Sequence, residues 1–160
     1  MALAARPILT TRSHEVFEIA HDLADAHGRE EVAPVHVVLA MLRERLNLPA
    51  QLLIYGFQLS HDLLRQELEA HLPPLAGSGP TGHDHSWTAS DERTLDLAAV
   101  ETRELGTEYI GCEHILLAFL RDPSTIPARV LARHGIRFDE FREKVMRTYG
   151  GTMDWTEPAT

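Results

Sequence analysis

The chain is predicted to fold as an all-α bundle of two tandem four-helix units packed with pseudo-two-fold symmetry. Three observations carry this. One sequence pattern occurs twice at fixed spacing, apolar residues recur at helical spacing nearly throughout, and no run shows the alternation of a half-buried strand. The pattern Ala26-His27-Gly28 followed by Pro34-Val35-His36-Val37-Val38-Leu39-Ala40-Met41-Leu42-Arg43 returns as Glu104-Leu105-Gly106 followed by Cys112-Glu113-His114-Ile115-Leu116-Leu117-Ala118-Phe119-Leu120-Arg121. Gly28 and Gly106, His36 and His114, Leu39 and Leu117, and Arg43 and Arg121 are each 78 residues apart. Beyond Arg43 and Arg121 the copies continue as Leu48-Pro49-Ala50-Gln51-Leu52-Leu53 and Ile126-Pro127-Ala128-Arg129-Val130-Leu131, now 79 apart. The extra residue falls in Asp122-Pro123-Ser124-Thr125, a loop composition that absorbs insertions cheaply.

Taken in chain order, Val16, Ile19, Ala20 and Leu23 place one apolar stripe on a helix from about Arg12 to Ala26. His36, Leu39, Ala40 and Leu42 mark a second helix opened by Pro34, a favoured first-turn residue. Leu52 and Leu53 mark a third, with Gly56 suited to a left-handed cap. Leu59, Leu63, Leu64 and Leu68 mark a fourth. The second copy repeats the plan with Leu95 to Glu104, Glu113 to Arg121, Ala128 to Arg133 capped by Gly135, and a last helix carrying Phe138, Phe141, Val145 and Met146. Thr88 is the expected N-cap of the fifth helix, with Asp91 three residues on. The expected organisation is a single domain over 1–160, with repeat one at 10–72, a Pro/Gly-rich linker at 73–87, repeat two at 88–149 and a frayed tail at 150–160.

Composition sets outer bounds. Apolar residues make up 44% of the 160 and charged ones 24%, the balance of a globular domain with a real core. A formal net charge of −9 speaks against a nucleic-acid partner, which needs clustered Lys and Arg. A single cysteine rules out an internal disulfide framework and fits a reducing compartment. The N-terminus is too short in its apolar run for a secretory signal, and no segment is long and apolar enough to span a membrane, so a cytoplasmic protein is expected. His83-Asp84-His85 lacks a fixed third ligand, so no metal or other cofactor is expected.

These residues resemble a known family. Gly106, Gly111-Cys112-Glu113-His114-Ile115-Leu116-Leu117 and Arg129-Val130-Leu131 through Gly135 are similar to the Clp repeat, Gly-x-x-x-x-Gly-Thr-Glu-His-Leu-Leu-Leu followed by Ala-Ala-x-Val-Leu-x-x-Leu-Gly. The first copy departs from it, with Ala33-Pro34-Val35-His36 in place of Gly-Thr-Glu-His. Two such repeats form the N-terminal domain of Clp ATPases that unfold proteins for a compartmental protease. No Gly-x-x-x-x-Gly-Lys-(Ser/Thr) phosphate loop occurs here, so the resemblance implies a Clp N-domain without its motor.

The resemblance implies a non-catalytic module that captures protein substrates, degrons, adaptors or phosphoarginine-bearing ligands, or sequesters cyclic-peptide antibiotics aimed at a Clp ATPase. A second reading is a decoy or adaptor that binds a Clp ATPase directly, and a third a small enzyme using Cys112 or the histidines. Glu113 matches the family Glu that grips the guanidinium of phosphoarginine, and a carboxylate suits a guanidinium fork. Its plainer role is to complement the macrodipole of a helix start. Thr88 falls where the family has a Thr near that site, and Thr10 is its counterpart in copy one. Val35 replaces Glu113 in copy one and cannot pair with a cation, so a single phosphoarginine site is expected. Cys112 stands where the family has Thr; a helix N-terminus favours a thiolate, yet a lone buried Cys is more often a small apolar residue. His36 and His114, present in both copies, point to a shared architectural role. Trp87 is expected in a groove at the junction of the repeats beside the first helix, either receiving peptides or stapling the fifth helix.

Overall fold

Among the described residues eight α-helices arise where the apolar spacing places them, and short polar side chains start most of them. The computed structural model describes residues 6–73 and 87–155. In order these form β1 (Ile8–Leu9), α1 (Thr11–Ala26), α2 (Pro34–Glu44), α3 (Leu48–Gln51), a π-helical turn (Leu52–Gly56), α4 (His61–Glu69), α5 (Ala89–Leu105), β2 (Tyr109–Ile110), α6 (Cys112–Arg121), α7 (Ile126–Ala132) and α8 (Phe138–Tyr149). Thr10, Asn47, Ser60, Thr88 and Thr125 each accept a hydrogen bond from the backbone N–H three residues on, satisfying a donor that the helix leaves open. At α5 the cap is reciprocal, because Asp91 Oδ2 accepts from Thr88 N at 2.9 Å.

The repeated histidines are capping residues. His36 Nδ1 accepts from Ala33 N and His114 Nδ1 from Gly111 N, both at 2.9 Å, at the third position of α2 and α6. An imidazole here does what Glu or Gln does in the usual capping box. His114 Nε2 also meets Thr107 Oγ1 at 3.0 Å, whereas His36 Nε2 is buried with no partner among the described residues.

Every residue of α2 from Val35 to Leu42 is buried, and so is every residue of α6 from Cys112 to Leu120. Their cover comes from both repeats. Helix α2 touches α1 and α4 of its own copy and α7 of the other; α6 touches α5 and α8 of its own copy and α3 of the other. The exchange is reciprocal and α2 meets α6 between the copies, the contact pattern of a two-fold interface.

Four expectations need correcting. A strand pair exists: β1 and β2 are parallel, with Ile8 opposite Tyr109 and Leu9 opposite Ile110. Two residues per strand are too few to show alternation in sequence. Gly56 is not a left-handed cap; Gln58 takes the positive φ, at 59°. Gly56 is instead a close approach, since a Cβ there would lie 2.9 Å from Met153 Cε and 3.3 Å from Leu52 Cδ2. Leu52–Gly56 is a π-helical turn where a plain α-helix was expected. The tail is not frayed throughout: Thr152 N donates to Arg147 O at 2.8 Å and Met153 packs against the core. Gly135 does take the expected left-handed cap, with φ 76°. The His83-Asp84-His85 cluster and residues 156–160 lie outside the described residues. Among the described residues no helix is long and apolar enough to cross a membrane.

Burial holds the His36 ring neutral and lowers its pKa from 6.5 to about 4, with electrostatic repulsion from the nearby His27 and Arg29 side chains adding to the effect. Burial lowers the pKa of His114 in the same direction. The unfolded chain therefore takes up protons before the folded one does. The stabilisation is complete above about pH 6.5 and is lost as pH falls toward 4. Urea unfolding at pH 7 and 4.5 should show a loss of about 2–3 kcal/mol attributable to His36. A His36→Gln variant, which keeps an acceptor for the cap, should lose less on acidification. An equal loss in both proteins would remove His36 as the cause.

Candidate ligand-binding site

The start of α1 and the start of α6 meet across the two repeats. Thr10 N donates to Ile110 O at 3.1 Å, extending the β1–β2 pair, and Ser13 Oγ donates to the same carbonyl at 3.1 Å. Beside this seam a recess of about 210 Å³ is lined by Thr10, Arg12, Leu46, Asn47, Leu48, Gly111, Cys112 and Glu113. The structure thus brings together Thr10, Cys112 and Glu113, and adds Arg12.

Glu113 is only 6% exposed. Its Oε2 accepts a 2.7 Å hydrogen bond from Tyr149 Oη, while Oε1 makes none among the described residues. The carboxylate folds back over Gly111, so tightly that a Cβ at 111 would collide with Oε1. Copy one has Ala33 where copy two has Gly111, and Val35 where copy two has Glu113. The methyl group is tolerated where no carboxylate needs the space. Opposite Glu113, Arg12 Nη1 donates to Glu44 Oε1 at 2.6 Å, and the other Glu44 oxygen accepts from Asn47 N and Nδ2. One cation and one carboxylate therefore face a recess flanked by two helix N-termini, which carry partial positive charge.

Cys112 is buried, with Sγ 3.6 Å from Ser13 Oγ. Burial pushes its thiol up to about 12, overriding the helix N-terminus, so the apolar reading of this residue holds.

Thr88 does not line this recess. Ser90 Oγ donates to Val32 O at 2.9 Å, as Ser13 does to Ile110, and Val32 and Ile110 are equivalent positions of the two copies. Each repeat's first helix thus packs along its own copy but sends its first turn across to the opposite one. Glu113 takes Thr10 as its threonine neighbour, and the Thr88 end of α5 sits at the copy-one end, where Val35 stands. Sequence spacing could not reveal this crossing of the first turns. Gly111, Arg12 and Tyr149 were also missed. Only the linked difference at 111 and 113 was available in sequence as a signal.

Trp87 flanks a second, separate hollow of about 190 Å³ with His14, Phe17, Glu18 and His21 on α1. Its ring stands edge-on to Phe17 at 5.1 Å and tilted to His14 at 5.7 Å, leaving 40% of the residue exposed. Beneath it His21 Nε2 meets the buried Asp91 Oδ2 at 2.8 Å, tying α1 to the α5 cap. Among the described residues no group of three or more His, Cys, Asp or Glu is placed to hold a metal.

The chain belongs to the Clp repeat (R) N-terminal domain family, whose model matches residues 8–134. It is 28% identical over 141 residues to the negative regulator of genetic competence ClpC/MecB of Bacillus subtilis, covering 88% of this chain and 17% of that protein. It is 29% identical over 142 residues to the chaperone protein ClpB of Oceanobacillus iheyensis, and 31% identical over 146 residues to the chloroplastic chaperone protein ClpC of Pisum sativum. These matches cover 88% and 91% of this chain and 17% and 15% of those proteins; the chain spans about a sixth of the length of the curated relatives it matches. The fold is shared with the N-terminal domain of ClpD from Arabidopsis thaliana (TM-score 0.64, 19% identity, covering 94% of this chain and 100% of that one). It is shared also with the Hsp104 N-terminal domain from Candida albicans (TM-score 0.66, 16% identity, 94% and 96%).

The half-exposed Trp87 contributes little to the core beyond its edge contact with Phe17, and such aromatic pairs are worth about 0.5–1.5 kcal/mol. Trp87→Ala should therefore lower unfolding free energy by about 1 kcal/mol in a chemical denaturation series. A loss above about 3 kcal/mol, the scale of a core aromatic truncation, would show that the ring is a structural staple.

Proposed function

We propose that this chain is a non-catalytic protein-binding module of a cytoplasmic Clp system, in which 10–72 and 88–149 act as one domain. Its principal ligand is a phosphorylated arginine side chain on a protein substrate. The observation that carries this reading is that Glu113 and Arg12 line one recess beside two helix N-termini. A guanidinium can pair with Glu113 Oε1, since Tyr149 already occupies Oε2. The phosphoryl group is then complemented by Arg12 and by the helix starts at Thr10 and Gly111. The burial of Glu113 strengthens any such pair, because the carboxylate is held in place and largely out of water.

The equivalent place in copy one offers Val35 and Ala33, so one site per chain is expected. A second ligand class, apolar or cyclic peptides, is favoured at the Trp87 hollow by the half-exposed ring and its histidine neighbours. That site shares no residue with the Glu113 recess, so the two should fill independently.

Calorimetric titration with free phosphoarginine should fit one site. Glu113→Ala should weaken it by about 1.5–3 kcal/mol, the range for hydrogen bonds to charged groups. Two equal sites, or unchanged affinity in the variant, would overturn the assignment. Quenching of Trp87 fluorescence by a cyclic peptide, retained in Glu113→Ala, would identify the second site separately.

A further inference from the structure

Helices α1, α2 and α4 enclose another recess, of about 210 Å³, remote in sequence from Glu113 and lined by different residues. Its polar lining is Arg43, Arg45, Arg65, His27, His61 and Glu69. Asp62 adds a second carboxylate, 3.6 Å from His61 Nδ1 and 3.9 Å from Arg65 Nη2, and three arginines and two histidines against two carboxylates still concentrate donors in a chain of net charge −9.

The second copy shows what such a place looks like when it is only structural. There Arg121, the counterpart of Arg43, is paired with the buried Glu101 and lies over the Phe138 ring at 4.3 Å. Copy one has Leu23 at the position of Glu101, and Leu59 at that of Phe138. Arg43 is left exposed with no ion-pair or hydrogen-bond partner among the described residues. At the next positions His61 replaces Glu140, Arg45 replaces Pro123 and Arg65 replaces Lys144. The changes at 23, 45, 61 and 65 remove negative charge or add a donor, while Glu69, at the position of Thr148, adds one carboxylate.

The donors are also held. Arg45 has φ 70°, in the left-handed region that a long side chain adopts only when its surroundings enforce it. Gln51 Nε2 donates to its carbonyl at 2.7 Å, and Arg45 Nη2 lies 3.4 Å from His61 Nδ1. His61 Nε2 donates to Leu42 O at 2.8 Å, capping the end of α2. His27 Nδ1 does the same for Leu23 O at 2.8 Å. The carbonyls at these helix ends are thus served by the histidines. The helix-end role of a cation does not require Arg43 and Arg45 as well. Arg65 is shared with Glu69 at 3.1 Å and Asp62 at 3.9 Å, which leaves Arg43 without an anionic partner among the described residues and Arg45 held only by His61.

We propose that this recess is a binding site for a phosphate group, with Arg43 and Arg45 as its principal donors. Planar guanidinium forks match phosphate oxygens bidentately, and a two-arginine clamp prefers the doubly charged phosphate to a single carboxylate. The group is either free phosphate or one borne by a protein side chain. The proposal is independent of the phosphoarginine reading, since no lining residue is common to both recesses.

The test is an NMR titration of the full chain at constant ionic strength, with inorganic phosphate in one arm, a phosphoserine peptide in another and chloride as reference. Saturable shifts at His27, His61 and the Arg43 side chain are expected with phosphate and not with chloride. Tighter saturation by the peptide than by phosphate identifies a protein-borne group; equal or weaker saturation identifies the free ion. Arg43→Gln combined with Arg45→Gln should weaken binding at least tenfold while leaving the melting temperature nearly unchanged. Leu23→Glu, which restores the carboxylate that copy two uses, should pair with Arg43 and compete with phosphate in the same way. Linear, unsaturating shifts in the parent chain, or saturation undiminished in both variants, would overturn the site.

Discussion

The constraint on which everything else depends is the burial of α2 and α6 on all sides. A helix that is apolar around its whole circumference must be covered around its whole circumference. One four-helix repeat does not supply enough helix to do so, and the missing cover comes from the other copy: α7 against α2, and α3 against α6. The two repeats are therefore halves of one core. Val38, Met41, Ile115 and Leu116 belong to a single buried cluster that runs through both. Truncating any of the large members by most of its side chain costs about 2–5 kcal/mol, a sizeable share of the stability of a domain of this size.

Interlocking also decides where the sites fall. Because the first turn of each first helix bonds to the opposite copy, the start of α1 lies at the start of α6, and the start of α5 at the carbonyl preceding α2. Helix N-termini leave backbone donors unsatisfied, and here two of them converge at one seam. The caps consume part of this capacity: Thr10, Thr88, His36 and His114 each occupy one donor. What remains at the α1–α6 seam is a recess lined by both Arg12 and Glu113. The site is a by-product of how the core closes, with side chains added to it.

Much of this could be read from the sequence, and the failures have identifiable physical causes. The helices, the Thr88 cap and the Gly135 terminus were legible because capping and apolar period are local properties. The role of His36 and His114 was legible in outline from their recurrence, though the atom that does the capping was not. The β1–β2 pair, the Gly56–Met153 contact and the bond from Tyr149 to Glu113 join residues far apart in the chain, and no local pattern encodes them. The largest error was to associate Thr88 with Glu113. Sequence order places them in the same copy, whereas the first turn of α5 bonds across to Val32 of copy one and so carries Thr88 away from the α6 start.

The differences between the copies then acquire a physical order. Core positions have stayed alike: Leu39 and Leu117, Ala40 and Ala118, and Leu42 and Leu120 are all buried. Such positions are held by packing density, where one methylene is felt. The rims have diverged in coupled sets. Glu113 goes with Gly111, and Val35 with Ala33, because the folded-back carboxylate leaves no room for a methyl. Glu101 goes with Arg121, while Leu23 goes with an unpaired Arg43. A buried Glu101 without Arg121 would be an uncompensated charge costing several kcal/mol, so neither member can change alone without penalty. An exposed arginine facing Leu23 has no such obligation and is free to meet a ligand. Duplication fixed one scaffold twice; the charge left over at each rim is what makes the two ends of the molecule chemically different.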